Sequence, residues 1–218
     1  MENHSAKIHT LAVGMPKEMR YGKQQSMITG IKKQEVQEVY LSAHGFEGDD
    51  VADKKHHGGP DRAVCLYPAE HYKQWAEEFG KTLPKSAFGE NITVTNMLEA
   101  DVCIGDVYKV GEAVIQITQG RIPCSTIDKY TEVNALLKRL IETGYTGYLA
   151  RVLQEGTIRV DSTIEMLERD PARISVLHCN EVYFQNKDAL AMKRIQMVEA
   201  LAADWKQKLE KRIHLLQK

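Results

Sequence analysis

No stretch of this sequence stays apolar for the roughly 20 residues that a membrane-spanning helix requires. Neither sign of charge dominates, since 29 lysines and arginines stand against 30 aspartates and glutamates. A chain so nearly neutral has no global field to draw it onto nucleic acid or an anionic membrane, so any anion site must be built locally. Cysteines are few and scattered. Cys65, Cys103, Cys124 and Cys179 form no C-x-x-C pair and have no histidines at zinc-finger spacing, which argues against a structural zinc module or an iron–sulfur centre. No G-x-G-x-x-G follows a strand-like run, so a dinucleotide site is not indicated. Residues 1–10, with Glu2, His4, Lys7 and His9, lack the apolar core and small-residue cleavage site of a secretory leader. The expected location is the cytosol, where the four cysteines are free thiols.

What is present suits one well-buried domain with an appendage: 218 residues, 43% hydrophobic and 27% charged. Short β-branched runs separated by turn residues occupy 7–13, 35–41, 63–67, 91–95, 102–110 and 113–118. The run 63–67 is continuously apolar, as expected for a strand buried on both faces. A helix over 68–79 sets Tyr72, Trp75, Ala76 and Phe79 on one face, with Gly80 at its C-cap. A second helix is expected over 133–144. The segments 148–153 and 157–164 read as a closing strand pair around Glu155-Gly156. Closely spaced strands with few helices favour a barrel or sandwich over a βαβ fold. The strands stop near Arg169. Segments 172–183, 188–201 and 203–216 carry helical spacing, with Asp188 and Asp204 as caps or first-turn acids. The expected organisation is therefore a β-barrel domain over 1–169 and a three-helix module over 170–218.

Two constellations carry potential chemistry. Gln119-Gly120-Arg121-Ile122-Pro123-Cys124 directly follows an apolar strand, and Pro123 stiffens the turn that holds Cys124. Arg121 lies close enough in sequence to stabilise a thiolate, the form that binds soft metals. A buried structural cysteine with Arg121 in solvent fits the same spacing. The second is His56-His57-Gly58-Gly59-Pro60-Asp61-Arg62. Here Gly58 and Gly59 can turn backbone N–H groups onto an anion, Arg62 offers a planar fork, and His57 with Asp61 makes a proton-handling pair. A plain turn with Asp61 paired to Arg62 is the competing reading. A weaker candidate is Phe88-Gly89-Glu90-Asn91, where Asn91 has a donor and an acceptor for a heterocycle edge. Arg151 is a further basic residue that fits either a ligand or a solvated face.

Taken together, these segments resemble the MOSC family, named for the C-terminal domain of molybdenum-cofactor sulfurases, and within it the stand-alone YiiM-like branch. The stretches that carry the resemblance are GFEGD (45–49), HHGGPDRAV (56–64), YPAEHYKQW (67–75), FGENITV (88–94), VCIGDVYKVG (102–111), QGRIPC (119–124) and YLARVLQEG (148–156). The chain departs from the branch in carrying Gly120 where Pro is frequent, Ser125 where a bulky residue is frequent, and Asp50 where Gly is frequent.

The resemblance implies a mainly β fold, a barrel akin to the pyruvate-kinase barrel domain with peripheral helices, and a C-terminal three-helix appendage. It implies a molybdenum cofactor (molybdopterin) in a cleft, with Cys124 as the metal ligand. Gly58, Gly59, Arg62, Asn91, Arg121 and Arg151 are the candidate cofactor-binding residues, and Cys124, His57 and Asp61 the candidate catalytic ones. The implied activity is reduction of N-hydroxylated purines such as 6-hydroxylaminopurine, with electrons from a separate electron-transfer protein. The alternative is a non-catalytic cofactor-binding or sulfur-carrier module with a persulfide on Cys124. The oligomeric state is left open, including a homo-oligomer.

Overall fold

The computed structural model describes residues 5–217. The first four residues of the N-terminal segment considered above lie outside the described residues, as does Lys218 at the end of the C-terminal module. Eight strands form one curled sheet in the spatial order Ile164–Glu168, Val107–Val110, Ala113–Gly120, Tyr148–Gln154, Val64–Pro68, Ile92–Thr95, Lys7–Val13, Gln34–Glu35. Val64–Pro68 and Ile92–Thr95 run parallel, and the helix Glu70–Phe79 lies in the crossover that a parallel pair requires. An isolated antiparallel bridge between Lys7 and Thr163 brings the two sides of the sheet together, so the sheet curls toward a barrel. A smaller sheet of Gly156–Arg159, Glu38–Ser42 and Gly45–Phe46, and a hairpin of Lys17–Tyr21 with Gln25–Thr29, complete the strands.

Alternation sets the core. In Ala113–Gly120, the side chains of Ala113, Ile115 and Ile117 are fully buried while Val114 and Gln116 between them are half-buried, as a period of two requires. The same core cluster takes in Leu66, Ile92, Tyr148 and Ala150 from other strands, and Val176, Cys179, Ile195, Trp205 and Leu209 from the C-terminal helices. These helices therefore share the barrel's core. A second cluster under Glu70–Phe79 contains Tyr67, Trp75, Phe88, Leu136 and Leu140.

Several elements fall where the sequence pattern puts them. Glu70–Phe79 buries Trp75 and ends on Gly80 in a left-handed conformation, φ 61°, which glycine adopts without strain. Asp188 caps Ala189–Gln196 by accepting from the N–H groups of Leu190 and Ala191. Ala203–Leu216 carries Asp204 in its first turn. The helix expected over 172–183 is Val176–Phe184, capped by the Ser175 hydroxyl.

Other expectations need correction. Tyr148–Gln154 does not form a hairpin with the following strand. It pairs with Ala113–Gly120 and Val64–Pro68, whereas Gly156–Arg159 leaves to pair with Glu38–Ser42. Gly156 makes the exit possible, because a Cβ there would sit 2.7 Å from the Glu112 backbone. The run 102–110 shortens to Val107–Val110, because its first half is a turn in which the Cys103 N–H donates to the Asp106 carboxylate at 2.9 Å. The run 35–41 divides into Gln34–Glu35 and Glu38–Ser42, and the helix over 133–144 contracts to Leu136–Thr143. The hairpin near the N-terminus and the short helix Thr126–Thr131 were not expected.

Candidate functional site

A cavity of about 510 Å³ opens between the hairpin Gln25–Thr29, the segment 44–62, the turn after Ala113–Gly120 and the helix Ala203–Leu216. That volume lies within the usual range for small-molecule and cofactor sites. Among the expected residues, His57, Gly58, Gly59, Arg62, Asn91, Arg121 and Cys124 line it.

Cys124 sits in the turn between the strand Ala113–Gly120 and the helix Thr126–Thr131. That turn is pinned at both ends, by Arg121 N–H donating to Gly147 O at 3.0 Å and by Ile127 N–H donating to Cys124 O at 3.1 Å. Partial burial of the sulfur disfavours its charge. Hydrogen bonds from His57 and from the Thr126 hydroxyl and N–H, together with the Arg121 guanidinium, outweigh that penalty and bring the thiol pKa from 9.0 down to about 6. Cys124 is therefore a thiolate at neutral pH. The other three thiols move the opposite way, burial being the leading cause in each.

Gly58 and Gly59 form the opposite lip. Gly59 adopts φ 108°, and a Cβ on Gly58 would lie 2.8 Å from Lys54 O, so both positions need glycine. Arg62 donates to Gly58 O at 3.4 Å and pairs with Asp204 from the last helix, and Lys208 reaches the same Asp204 oxygen.

Three expectations change. Asp61 is not in the cavity wall and does not pair with Arg62. Its carboxylate takes Arg151 at 2.8 Å and the Ala203 N–H at 3.2 Å. Arg151, also outside the wall, donates to Ala200 O at 2.8 Å. The two residues thus join the sheet to the C-terminal helices, and the partner of His57 is Cys124. Asn91 lines the cavity, but its amide is already engaged: Oδ1 accepts from Cys65 N–H at 3.1 Å, and Nδ2 donates to Asp49 at 2.8 Å. Asp49 in turn holds Lys33, whose side chain is almost fully buried. Asn91 therefore braces the wall.

The MOSC domain profile matches residues 53–165, which span the glycine lip and the cysteine turn. The chain belongs to the MOSC domain family. It is 41% identical over 209 residues to the uncharacterized protein YflK of Bacillus subtilis, covering 94% of each chain. The crystal structure of YiiM from Geobacillus stearothermophilus superposes with a TM-score of 0.81 at 33% identity, covering 95% of this chain and 99% of that one. A protein named "Reductase" from Gibberella moniliformis is 39% identical over 155 residues, 69% of this chain and 28% of the relative.

Cys65, Lys208 and Gln119 are three of the residues in this MOSC site that the sequence reading did not pick. Cys65, in the run expected to be a strand buried on both faces, lines the cavity. Lys208 reaches it from the C-terminal helices, beyond the matched span. Gln119 lies in the cysteine motif and also lines the cavity, with its Oε1 buried and without a hydrogen-bond partner among the described residues. Of the three, only Gln119 stood inside a motif that sequence reading had singled out.

Proposed function

We propose that this MOSC protein is an oxidoreductase that binds a molybdenum cofactor and reduces N-hydroxylated compounds, with 6-hydroxylaminopurine as the type substrate and a separate protein as electron donor. One observation carries the reading: Cys124, with His57 and Thr126 donating to its sulfur, in the wall of a cofactor-sized cavity. A thiolate is a suitable ligand for a soft metal. Among the described residues, no three His, Cys, Asp or Glu side chains gather as a metal site, and Cys124 is the residue that would hold the metal of a bound cofactor. Arg121 Nη1 is buried without a hydrogen-bond partner among the described residues, which suits an acceptor on a bound group. Arg62 and the N–H of Gly59 are the residues to hold its anionic end, since the Gly58 N–H already donates to Lys54 O at 3.2 Å.

When bound, the cofactor supplies the two-electron chemistry that converts N–OH and two protons to N–H and water. His57, hydrogen-bonded to the Cys124 sulfur, is in position to deliver a proton to the departing hydroxyl. Ile31 and Phe46, both buried, give the cavity wall an apolar stretch. The relative named "Reductase", 28% of which this chain covers, supports this class of activity.

The test is expression of the full chain with the cofactor pathway active, followed by molybdenum and pterin analysis of the wild type beside Cys124→Ser. Stoichiometric metal in the wild type and background metal in a variant that still unfolds cooperatively is the expected result. Cyanide-labile sulfur on Cys124 with no metal would replace this reading with a persulfide carrier.

A further inference from the structure

The strand that delivers Cys124 changes register just before it. Ile117 faces Ala150, but Gln119 faces Leu149, so Thr118 is an extra residue in the pairing. Such a bulge re-aims the side chains that follow it. It takes Gln119 out of the core row of Ala113, Ile115 and Ile117 and sets it in the cavity wall beside Leu149. Gln119 is 2% exposed. Its Nε2 donates to Gly120 O at 3.4 Å, which fixes the orientation of the amide and leaves Oε1 unpartnered. Two residues on, Arg121 leaves Nη1 unpartnered in the same wall. Between them, Gly120 has no room for a side chain because Asn180 of the helix Val176–Phe184 lies against its Cα. A buried acceptor and a buried donor, each without a partner among the described residues, are costly unless a ligand or ordered water satisfies them.

We infer that Gln119 Oε1 and Arg121 Nη1 read the edge of an amino-substituted nitrogen heterocycle. The ring amine donates to Gln119, and a ring nitrogen or carbonyl oxygen accepts from Arg121. The inference rests on the reading that a heterocyclic ligand occupies this cavity. The shared chemistry belongs equally to a pterin and to an aminopurine, and the experiment separates them.

The purified full chain, without cofactor, is titrated with two pairs of probes that differ in an amine: pterin against lumazine, and adenine against purine. The wild type is expected to prefer the amine-bearing member of one pair by about tenfold to a hundredfold, the loss expected when a buried acceptor goes unpaired. The pair that shows the preference names the source, the pterin pair for cofactor and the purine pair for substrate. Gln119→Leu erases the preference, and Gln119→Glu, which keeps an acceptor oxygen, retains most of it. Thermal melting of both variants controls for folding. Equal affinity within both pairs, a preference unchanged in Gln119→Leu, or no binding of any probe at millimolar concentration overturns the inference. An amine preference in a protein that never retains molybdenum would leave this inference standing and remove the proposed function. Molybdenum retained through Cys124 without any amine preference would do the reverse.

Discussion

Cys124 and Cys65 look into the same cavity and differ in how the backbone holds them. Cys65 lies within the strand Val64–Pro68, where its N–H and C=O are both bonded to Asn91. Burial pushes its thiol pKa up, and Arg121 opposes the rise only in part. Cys124 lies in a turn that leads into a helix, and two neighbours, His57 and Thr126, donate to its sulfur. Arg121 acts on both thiols, so the guanidinium alone does not decide which becomes a thiolate. The difference comes from local donors, which a turn can present and a strand ladder engages in pairing.

The sharpest break of this comparison is alkylation across pH, read residue by residue by mass spectrometry. Cys124 labelling is expected to rise through a midpoint near about 6, whereas Cys65 stays unlabelled until the pH exceeds 9.0. Coincident midpoints would show that the two settings are equivalent. The next effect comes from the donors themselves. His57→Ala removes a hydrogen bond to the sulfur and is expected to raise the Cys124 midpoint by about one unit, leaving Cys65 in place. Arg121→Ala is expected to raise both thiols, because the guanidinium lowers both. A His57→Ala profile that overlays the wild type would remove His57 from the stabilisation of the thiolate.

A further effect is on stability. The folded-state pKa of Cys124, about 6, lies below its ordinary value of 9.0, so the folded state releases this proton at a lower pH than the unfolded chain does. The resulting stabilisation is fully present above pH 9.0, shrinks between the two values and is gone below about 6. The melting temperature of the wild type relative to Cys124→Ser is therefore expected to climb from pH 6 to pH 9. A difference that stays flat across that window would contradict the low thiol pKa.

The sequence reveals local features far better than distant partners. Trp75 and Gly80 announce the helix Glu70–Phe79 because a helical face and its cap are set by neighbours in the chain. The glycine lip and the cysteine turn are legible for the same reason, since Gly58 and Gly59 allow backbone geometry closed to other residues and Pro123 restricts its own φ. What was hidden depends on partners far along the chain. Gly156–Arg159 looked like the second arm of a hairpin because Glu155-Gly156 is a good turn, yet its partner is Glu38–Ser42. Asp61 looked like a partner for the adjacent Arg62, but the sheet brings Arg151 to it. Cys65 reads as core in an apolar run, and only the fold discloses that one face of that strand borders a cavity. Gln119 was out of reach because a bulge changes which face a residue occupies and leaves no mark in composition.

The ties between sheet and C-terminal helices bear on how filling of the cavity is felt elsewhere. Ala202 N–H donates to Thr118 O at 3.1 Å, Ala203 N–H donates to Asp61 at 3.2 Å, and Arg151 holds Ala200 O. Thr118 is the bulged residue beside Gln119, and Asp61 adjoins Arg62 in the lip. The junction before the last helix is thus fastened to both sides of the ligand space without entering it. A ligand that quiets Gln119 and Arg62 also suppresses the local opening that frees these two amides. Their hydrogen exchange with solvent becomes a slow, chemistry-free gauge of occupancy, located in a part of the chain that the MOSC match at 53–165 does not reach.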